Sequence, residues 1–242
     1  MVDSSAANAA LRHKMNRLAK LGDDDNYALA CLQFLPETIR ANRYLVREGD
    51  RVDRCCIVVE GYACRDKLVR KGERQIVSFH MRGDLLDLQH SLLPIADHNL
   101  TAITDVTVGW IAGETLLELA QKHPRIAQAF MKDSLIDASI SREWVLNVGR
   151  RDAKTRVAHM ICEFVTRRQN LGIASEAPVS LPFTQQQIGD ATGLTAVHVN
   201  RMLRALREEG AFDHGDRFLK IADWQKLRAI GEFNPAYLHQ AA

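Results

Sequence analysis

The stretch LPFTQQQIGDATGLTAVHVNRMLRALREEGAF, residues 181–212, reads as two helices joined by a tight turn. Thr184 is placed to cap the first helix, and Gln187 three residues on completes a capping box. Gly189 lets a second helix approach closely, and Gly193 suits a left-handed turn position. Thr195 caps the second helix. Val199, Met202, Leu203 and Leu206 recur at i, i+3, i+4 and i+7 and define its core face. Ala196, Val197, Asn200, Arg201 and Arg204 then face outward, with His198 at the flank. A helix built only for packing would carry a mixture of Lys and Glu there. Asparagine and arginine instead make paired hydrogen bonds to base edges, asparagine best to adenine and arginine best to guanine. Spacing, glycines, caps and outer face together describe a helix-turn-helix that reads DNA. Downstream, AFDHGDRFLKI (211–221) offers a turn at His214-Gly215-Asp216 between two strand-like pieces. That is a wing hairpin, of the kind that lies along DNA backbone.

Upstream, GRRDAKTRVAHMICEFVTRR (149–168) is helical. Asp152 is its N-cap, and Val157, Met160, Ile161, Phe164 and Val165 form its apolar stripe. Arg150, Arg151, Lys154, Arg156, Arg167 and Arg168 make it locally basic, which reads equally as a solvated face or as proximity to phosphate. From about Arg125 to Val148 a longer helix carries two adjacent stripes. Phe130, Ser134, Asp137, Ser141, Trp144 and Val148 form one; Met131, Leu135, Ala138, Arg142 and Val145 form the other. Such a helix packs a barrel and a second partner at once, and a symmetric copy of itself is the economical partner. Phe130, Ser134, Leu135, Ala138 and Val145 are the expected dimer contacts. Before it, GETLLELAQKH (113–123) is a short helix that stops near Pro124.

Between about Asn42 and Ile111 the texture changes to short β-branched or apolar runs: RYLV, RCCIVVEGYACR, KLVR, RQIVSFH and NLTAITDVTVGWI. Glu48-Gly49-Asp50, Glu60-Gly61, Lys71-Gly72-Glu73 and Arg82-Gly83-Asp84 separate them. This regular spacing predicts an antiparallel sandwich or barrel, with room for a small ligand or only for side chains. The acid-rich loop DLQHSLLPIADH (87–98) is expected at the barrel edge. At the N-terminus, residues 1–10 read as frayed and 11–21 as a short helix. A second helix follows the Asp23–Asp25 run to about Leu35. At the other end, Trp224, Leu227 and Ile230 predict a final helix on the DNA-binding domain.

The 242 residues are of ordinary globular composition with a formal charge of only +2, so any basic footprint is local. No run approaches the length of a membrane span, and the first residues lack the pattern of a signal peptide, so the cytoplasm is the expected compartment. The five cysteines are odd in number, with no CxxC. Adjacent Cys55 and Cys56 point to opposite faces of a strand. Reduced core thiols are the expectation, rather than a redox or metal site.

From about Leu35 to Ile221 the chain resembles the Crp/Fnr family of bacterial transcription regulators. LVREGDRVDRCCIVVEGYA (45–63), with glycines at 49, 61 and 83, resembles the family's cyclic-nucleotide-binding-type jelly roll. The long helix resembles its dimerisation helix, and 181–221 its winged helix-turn-helix. The resemblance implies an α+β fold: an N-terminal helical segment (1–34), a jelly-roll β-barrel as effector or sensor domain (35–123), a dimerisation helix (124–149) and a C-terminal winged helix-turn-helix domain (150–242). It implies a homodimer whose recognition helices enter successive major grooves of a near-palindromic site. Double-stranded DNA, a second copy of the chain and RNA polymerase are the implied partners, with no membrane. Arg201 stands where the family places an arginine that reads guanine. Val197 replaces a glutamate that helps specify the half-site, and Asn200 and His198 are placed to supply that information. Thr184, Gln185 and Thr195 occupy phosphate-contacting positions.

In the barrel the chain departs from the cyclic-AMP pattern. Gly83-Asp84-Leu85 stands for Gly-Glu-Leu, with a shorter acid. No arginine occurs near PIADHNLTA, where Arg-Ser would hold the cyclic phosphate. Asp137 and, one turn on, Ser141 line the pocket side of the long helix, Asp137 where cyclic-AMP binders keep an arginine. A buried phosphate beside carboxylates and without a cation is unfavourable, so cyclic AMP is not expected to bind in the family's usual way. Control by a cyclic nucleotide or another small ligand is the alternative. An Fnr-like iron–sulfur cluster needs several N-terminal cysteines, and only Cys31 precedes Cys55. His80, His90 and His98 are haem-ligand candidates, more simply read as structural. A cupin-like metal enzyme is the remote rival, but the strands supply only His80, and no P-loop, nucleophile elbow or HExxH occurs. No catalytic residue, metal or cofactor is predicted; an effector, if one acts, is unidentified.

Overall fold

The computed structural model describes residues 4–170, 181–213 and 220–239. They fall into two units: the chain up to Lys67 with Ser78–Asp137, and Leu68–Val77 with the chain from Ala138. The first opens on α1 (Ser4–Leu18), so residues 4–10 are helical rather than frayed. Packing overrides the weak local signal: Ala7, Ala10, Leu11 and Met15 are buried against Leu29, Phe34, Cys55 and Ile57. Gly109 makes the close approach possible, since a Cβ there would lie 2.8 Å from the Ala7 Cβ. The second helix, α2 (Asp23–Ala30), ends earlier than its sequence suggests. Asn8 Nδ2 donates to the carbonyls of Leu29 (3.2 Å), Ala30 (2.6 Å) and Leu32 (2.9 Å), so a side chain of α1 satisfies groups that further helix would have used.

The sheets follow: β1 (Leu35–Ile39), β2 (Tyr44–Val46), β3 (Arg54–Glu60), β4 (Ala63–Leu68), β5 (Arg74–His80), β6 (Leu85–Leu86), β7 (Asn99–Ala102) and β8 (Val106–Ala112). They form two four-stranded sheets, ordered β1-β8-β3-β6 and β2-β7-β4-β5, a double-sheet jelly roll. Strand alternation sends Cys56, Val58, Val108 and Trp110 into one core cluster and Cys55 and Ile57 into the one beneath α1. All five cysteines are free thiols; Cys55, Cys56, Cys64 and Cys162 are buried, while Cys31 is exposed and is no core thiol. Gly61, at φ +83°, has no alternative, because a Cβ would sit 2.3 Å from the Asp105 carbonyl. The 87–98 loop corrects the expectation of an edge surface: Asp87, His90 and His98 are buried, whereas Leu92, Leu93 and Ile95 are exposed. Its first residues form a 3-10 turn, Leu88–Ser91.

The helices are α3 (Gly113–Lys122), α4 (Pro124–Arg150), α5 (Ala153–Gln169), α6 (Gln185–Thr192), α7 (Ala196–Glu208) and α8 (Trp224–Ile230), with a 3-10 turn at Pro235–Leu238. Among the described residues no helix is long and apolar enough to cross a membrane. On α4 the two stripes separate. Phe130 is 5% exposed in the core cluster of α1 and the barrel, which corrects its assignment as a dimer contact. Trp144 is buried as well, whereas Met131, Leu135 and Val145 are 64%, 62% and 71% exposed. Ser134 and Ala138 are also exposed. Sequence periodicity finds both stripes but does not say which partner each one meets.

Within the second unit α5 is the central helix. Asp152 caps it by accepting from Thr155 N at 3.0 Å, and Val157, Met160, Ile161, Phe164 and Val165 are all buried. Trp144 Nε1 donates to both oxygens of the buried Glu163 (3.2 and 3.1 Å), and the Tyr237 hydroxyl donates to Glu163 Oε2 at 2.7 Å. The chain beyond α8 is therefore part of this core.

Candidate nucleic-acid interface and barrel charge cluster

Local sequence builds the helix-turn-helix as its spacing predicts. Thr184 Oγ1 accepts from Gln187 N at 3.1 Å, and Gln187 Oε1 accepts from Thr184 N at 2.8 Å, completing the capping box of α6. Gly193 adopts φ 69°, ψ 36° at its C-cap. A Cβ on Gly189 would lie 2.4 Å from the Leu194 carbonyl, so only glycine allows the turn to close over α6. Thr195 Oγ1 accepts from His198 N at 3.2 Å and starts α7. Sequence reasoning missed a tie on α6: Arg74 Nε donates to Asp190 at 2.8 Å, and Gln75 Nε2 to the Ala191 carbonyl at 3.1 Å. Only folding brings such distant residues together.

On α7, Val199, Leu203 and Leu206 are buried and Met202 is half-buried. Opposite them Val197, Asn200, Arg201 and Arg204 are exposed at i, i+3, i+4 and i+7, a continuous outward stripe. Ala196 and His198 are half-buried at its flanks, and Thr184, Gln185 and Thr195 are exposed. Arg204 Nε donates to Glu208 at 2.9 Å along the helix. The wing turn at 214–216 lies outside the described residues; its flanks pair through Phe212 and Ile221.

The basic run around α5 is largely engaged by the protein. Arg151 pairs with Glu143 at 2.6 Å and Glu232 at 3.4 Å, and Lys154 with Glu209 at 2.6 Å. Arg156 donates to the carbonyls of Arg151 (2.8 Å) and Thr192 (3.1 Å). Arg167 lies 3.6 Å from Glu163. For these four, intramolecular pairing is a third reading beside solvation and phosphate contact.

The barrel holds a different arrangement. Asp84 and Asp133 flank Lys14 at 3.3 and 2.9 Å, and Asp87 and Asp137 flank Arg65 at 3.0 and 2.6 Å. Asp84 Oδ2 also accepts from Met81 N at 3.0 Å. Gly83 (φ +87°) and Leu85 are structural neighbours: Gly83 N donates to the Val58 carbonyl at 2.8 Å, and Leu85 is buried beneath α1. Ser141 is exposed on α4, one turn beyond Asp137 and in the second unit. Arg65 and Lys14 are the groups that sequence reasoning did not find; nothing in their own neighbourhoods marks them.

Electrostatics in this cluster favour the charged pairs. Burial alone would raise the Asp87 carboxyl, but the hydrogen bond from His98 and the charge of Arg65 hold it well below the usual carboxylate range. Burial opposes the charge on Arg65, yet Asp137 and Asp87 hold it protonated. His98 bridges Asp87 (Nε2, 3.0 Å) and Asp97 (Nδ1, 2.7 Å); burial works against its charged form, and the Asp87 carboxylate raises its pKa nonetheless. His80 Nε2 lies 2.8 Å from Ser78 Oγ. The buried ring of His90, by contrast, makes no hydrogen bond among the described residues, its Nδ1 lying 3.8 Å from Asp87 Oδ2, and burial lowers its pKa. No group of three or more His, Cys, Asp or Glu is placed to hold a metal among the described residues.

Residues 155–230 match the Crp-like helix-turn-helix domain, and residues 36–123 match the cyclic nucleotide-binding domain. The chain is 32% identical over 177 residues to the nitrogen fixation regulation protein FixK of Bradyrhizobium diazoefficiens, covering 72% of each. It is 27% identical over 209 residues to the transcriptional activator protein FnrL of Cereibacter sphaeroides, covering 84% of each. The solved structure of FixK2 from Bradyrhizobium japonicum matches with a TM-score of 0.75 at 26% identity, over 82% of this chain and 98% of that one.

Proposed function

We propose how this chain, which belongs to the Crp/Fnr family of DNA-binding transcription regulators, reads its operator and what governs it. Two copies pair along α4 through the exposed Leu135, Ala138 and Val145, with Ser134 and Met131 beside them, and place two α7 helices in successive major grooves of a near-palindromic site. Arg201 donates to guanine O6 and N7, and Asn200 pairs with adenine. Thr184, Gln185, Thr195 and Arg204 contact phosphates; Ala196 and His198 border the base-reading stripe. The observation that carries this reading is the outward stripe of α7, with Asn200 and Arg201 exposed opposite the buried Val199, Leu203 and Leu206. The cytoplasm is the working compartment, RNA polymerase is the downstream partner, and the family's work is regulation rather than catalysis.

Cyclic AMP does not govern it. Where a cyclic phosphate would need a cation, four carboxylates (Asp84, Asp87, Asp133 and Asp137) already engage both Lys14 and Arg65. A phosphate entering that cluster meets a net negative charge. The test is selection of bound sequences from a random duplex pool by the full chain, without ligand and at near-physiological salt. A palindromic consensus is expected. Absence of enrichment, followed by enrichment once cyclic AMP is added, would reverse the ligand-free reading. Calorimetric titration with cyclic AMP and cyclic GMP is expected to show no micromolar binding.

A further inference from the structure

The stripe that faces outward on α7 has one member with no hydrogen-bonding group at all. Val197 is 74% exposed, while its stripe neighbours Asn200, Arg201 and Arg204 are polar or charged. It is the second residue of the helix, and Arg201 follows it by one turn on the same face. In a helix-turn-helix the first residues of this helix are those that reach base edges. A valine there neither donates nor accepts. It also differs from the exposed Met131, Leu135 and Val145 of α4, which form an apolar stripe of their own. Val197 is the one apolar member of the exposed stripe.

We propose that Val197 is a specificity-determining residue that reads the 5-methyl group of a thymine. The inference rests on the DNA-reading function proposed above and adds the base class that this position selects. The reason is chemical. In the major groove each base pair displays donors and acceptors, and the one apolar group on offer is the thymine methyl. A side chain with only methyl groups at a base edge gains by burying that methyl. Against cytosine or adenine it leaves an amino donor unmatched, and against guanine two acceptors. A carboxylate at the same place would do the opposite, accepting from cytosine N4. The exchange of acid for valine therefore changes which base is preferred rather than only weakening the contact.

The experiment uses the full chain and the duplex selected from a random pool, with affinity followed by fluorescence anisotropy at fixed salt. Each thymine of one half-site is replaced in turn by deoxyuridine, which removes the methyl and nothing else. One position is expected to lose about fourfold in affinity, the effect of withdrawing one buried methyl-sized group. Val197→Ala should be nearly insensitive to uracil at that position while still discriminating at the guanine. Val197→Glu should shift preference there from T·A toward C·G. The side chain is exposed, so both variants are expected to fold as the parent does, which their circular dichroism checks. A selected half-site without thymine, a half-site indifferent to uracil everywhere, or unchanged uracil sensitivity in Val197→Ala would each overturn the assignment and leave DNA reading standing. If no sequence is enriched with or without candidate effectors, the DNA-reading function fails, and this inference with it.

Discussion

The barrel and the recognition helix use charged side chains in opposite ways. In the barrel, Lys14 and Arg65 are each held between two carboxylates, with side-chain exposures of 20% and 14%. On α7, Asn200, Arg201 and Arg204 stand in solvent on the face turned away from the core. Removing a cation flanked by carboxylates inside a protein is costly, because it leaves buried charge without its partner. A cation on an exposed helix face adds little stability and is available to a ligand. The two regions thus divide the chain's work: the inward charges fix a fold, and the outward ones meet a partner.

The largest effect that would break this comparison is in the barrel. Arg65→Met should destabilise the first unit by about 3–5 kcal/mol, because the buried Asp87 loses its guanidinium partner and keeps only the hydrogen bond from His98. Urea unfolding followed by hydrogen exchange on β3 and β4 measures it. A change within about 0.5 kcal/mol, as for an ordinary surface site, would show that the pairing is not structural. The double variant Arg65→Met with Asp87→Asn should recover part of the loss, since it removes the stranded charge.

The second effect tests whether the DNA-binding unit has an inward network of its own. His159 is 1% exposed, with Nδ1 3.0 Å from the Gly231 carbonyl and Nε2 3.2 Å from the Tyr237 hydroxyl. Burial first, and the charge of Arg151 second, push its pKa down to about 4, against the carbonyl of Gly231 and the carboxylates of Glu143 and Glu232. The unfolded imidazole titrates near ~6.5. Between those values the unfolded chain binds more protons, so stability rises with pH. The contribution is complete above the unfolded value and is lost as pH falls toward the folded one, about 3 kcal/mol in all. The stability gap between the parent and His159→Leu, read from hydrogen exchange in α5, should shrink steadily from pH 7 to pH 4.5. A gap that stays constant would mean the histidine is not held neutral.

How legible each region was in the sequence follows from the same contrast. The helix-turn-helix depends on near neighbours: Thr184 caps Gln187, Gly193 turns the chain, and Val199, Leu203 and Leu206 share a face by helical period alone. Those are short-range facts, and the chain states them in order. The barrel cluster unites Lys14 of α1, Arg65 of β4, Asp84 and Asp87 on either side of β6, and Asp133 and Asp137 one turn apart on α4, and no local pattern connects these four segments. The same distance hid the packing of Ala7 against the Gly109 strand, which makes residues 4–10 helical. It hid the inward turn of Phe130, where the sequence shows an apolar residue but not which surface covers it. Tyr237 in the core of the second unit was invisible for the same reason.

The third effect lies on the outward side. Arg201→Ala should leave unfolding stability within about 0.5 kcal/mol of the parent. It should cost about 1–3 kcal/mol of affinity on the selected site and relax preference at one guanine. Loss of stability in this variant, rather than of base preference, would erase the distinction between inward and outward charge.

Arg204, one further turn along, gives the smallest and most discriminating test. Among the described residues its side chain pairs with Glu208, i+4 on an exposed face, a pairing that contributes about 0.3–0.5 kcal/mol. Arg204→Ala should therefore barely move stability. If Arg204 meets phosphate, the variant weakens binding to every sequence by a similar factor and lowers the salt slope by about one unit. If it meets a base, the loss appears on the selected site alone and the slope is unchanged. The salt titration, compared between Arg201→Ala and Arg204→Ala on the same two duplexes, separates the part of the stripe that specifies from the part that positions. The split follows from geometry: the start of a recognition helix lies deepest in the groove, and later turns rise toward the backbone.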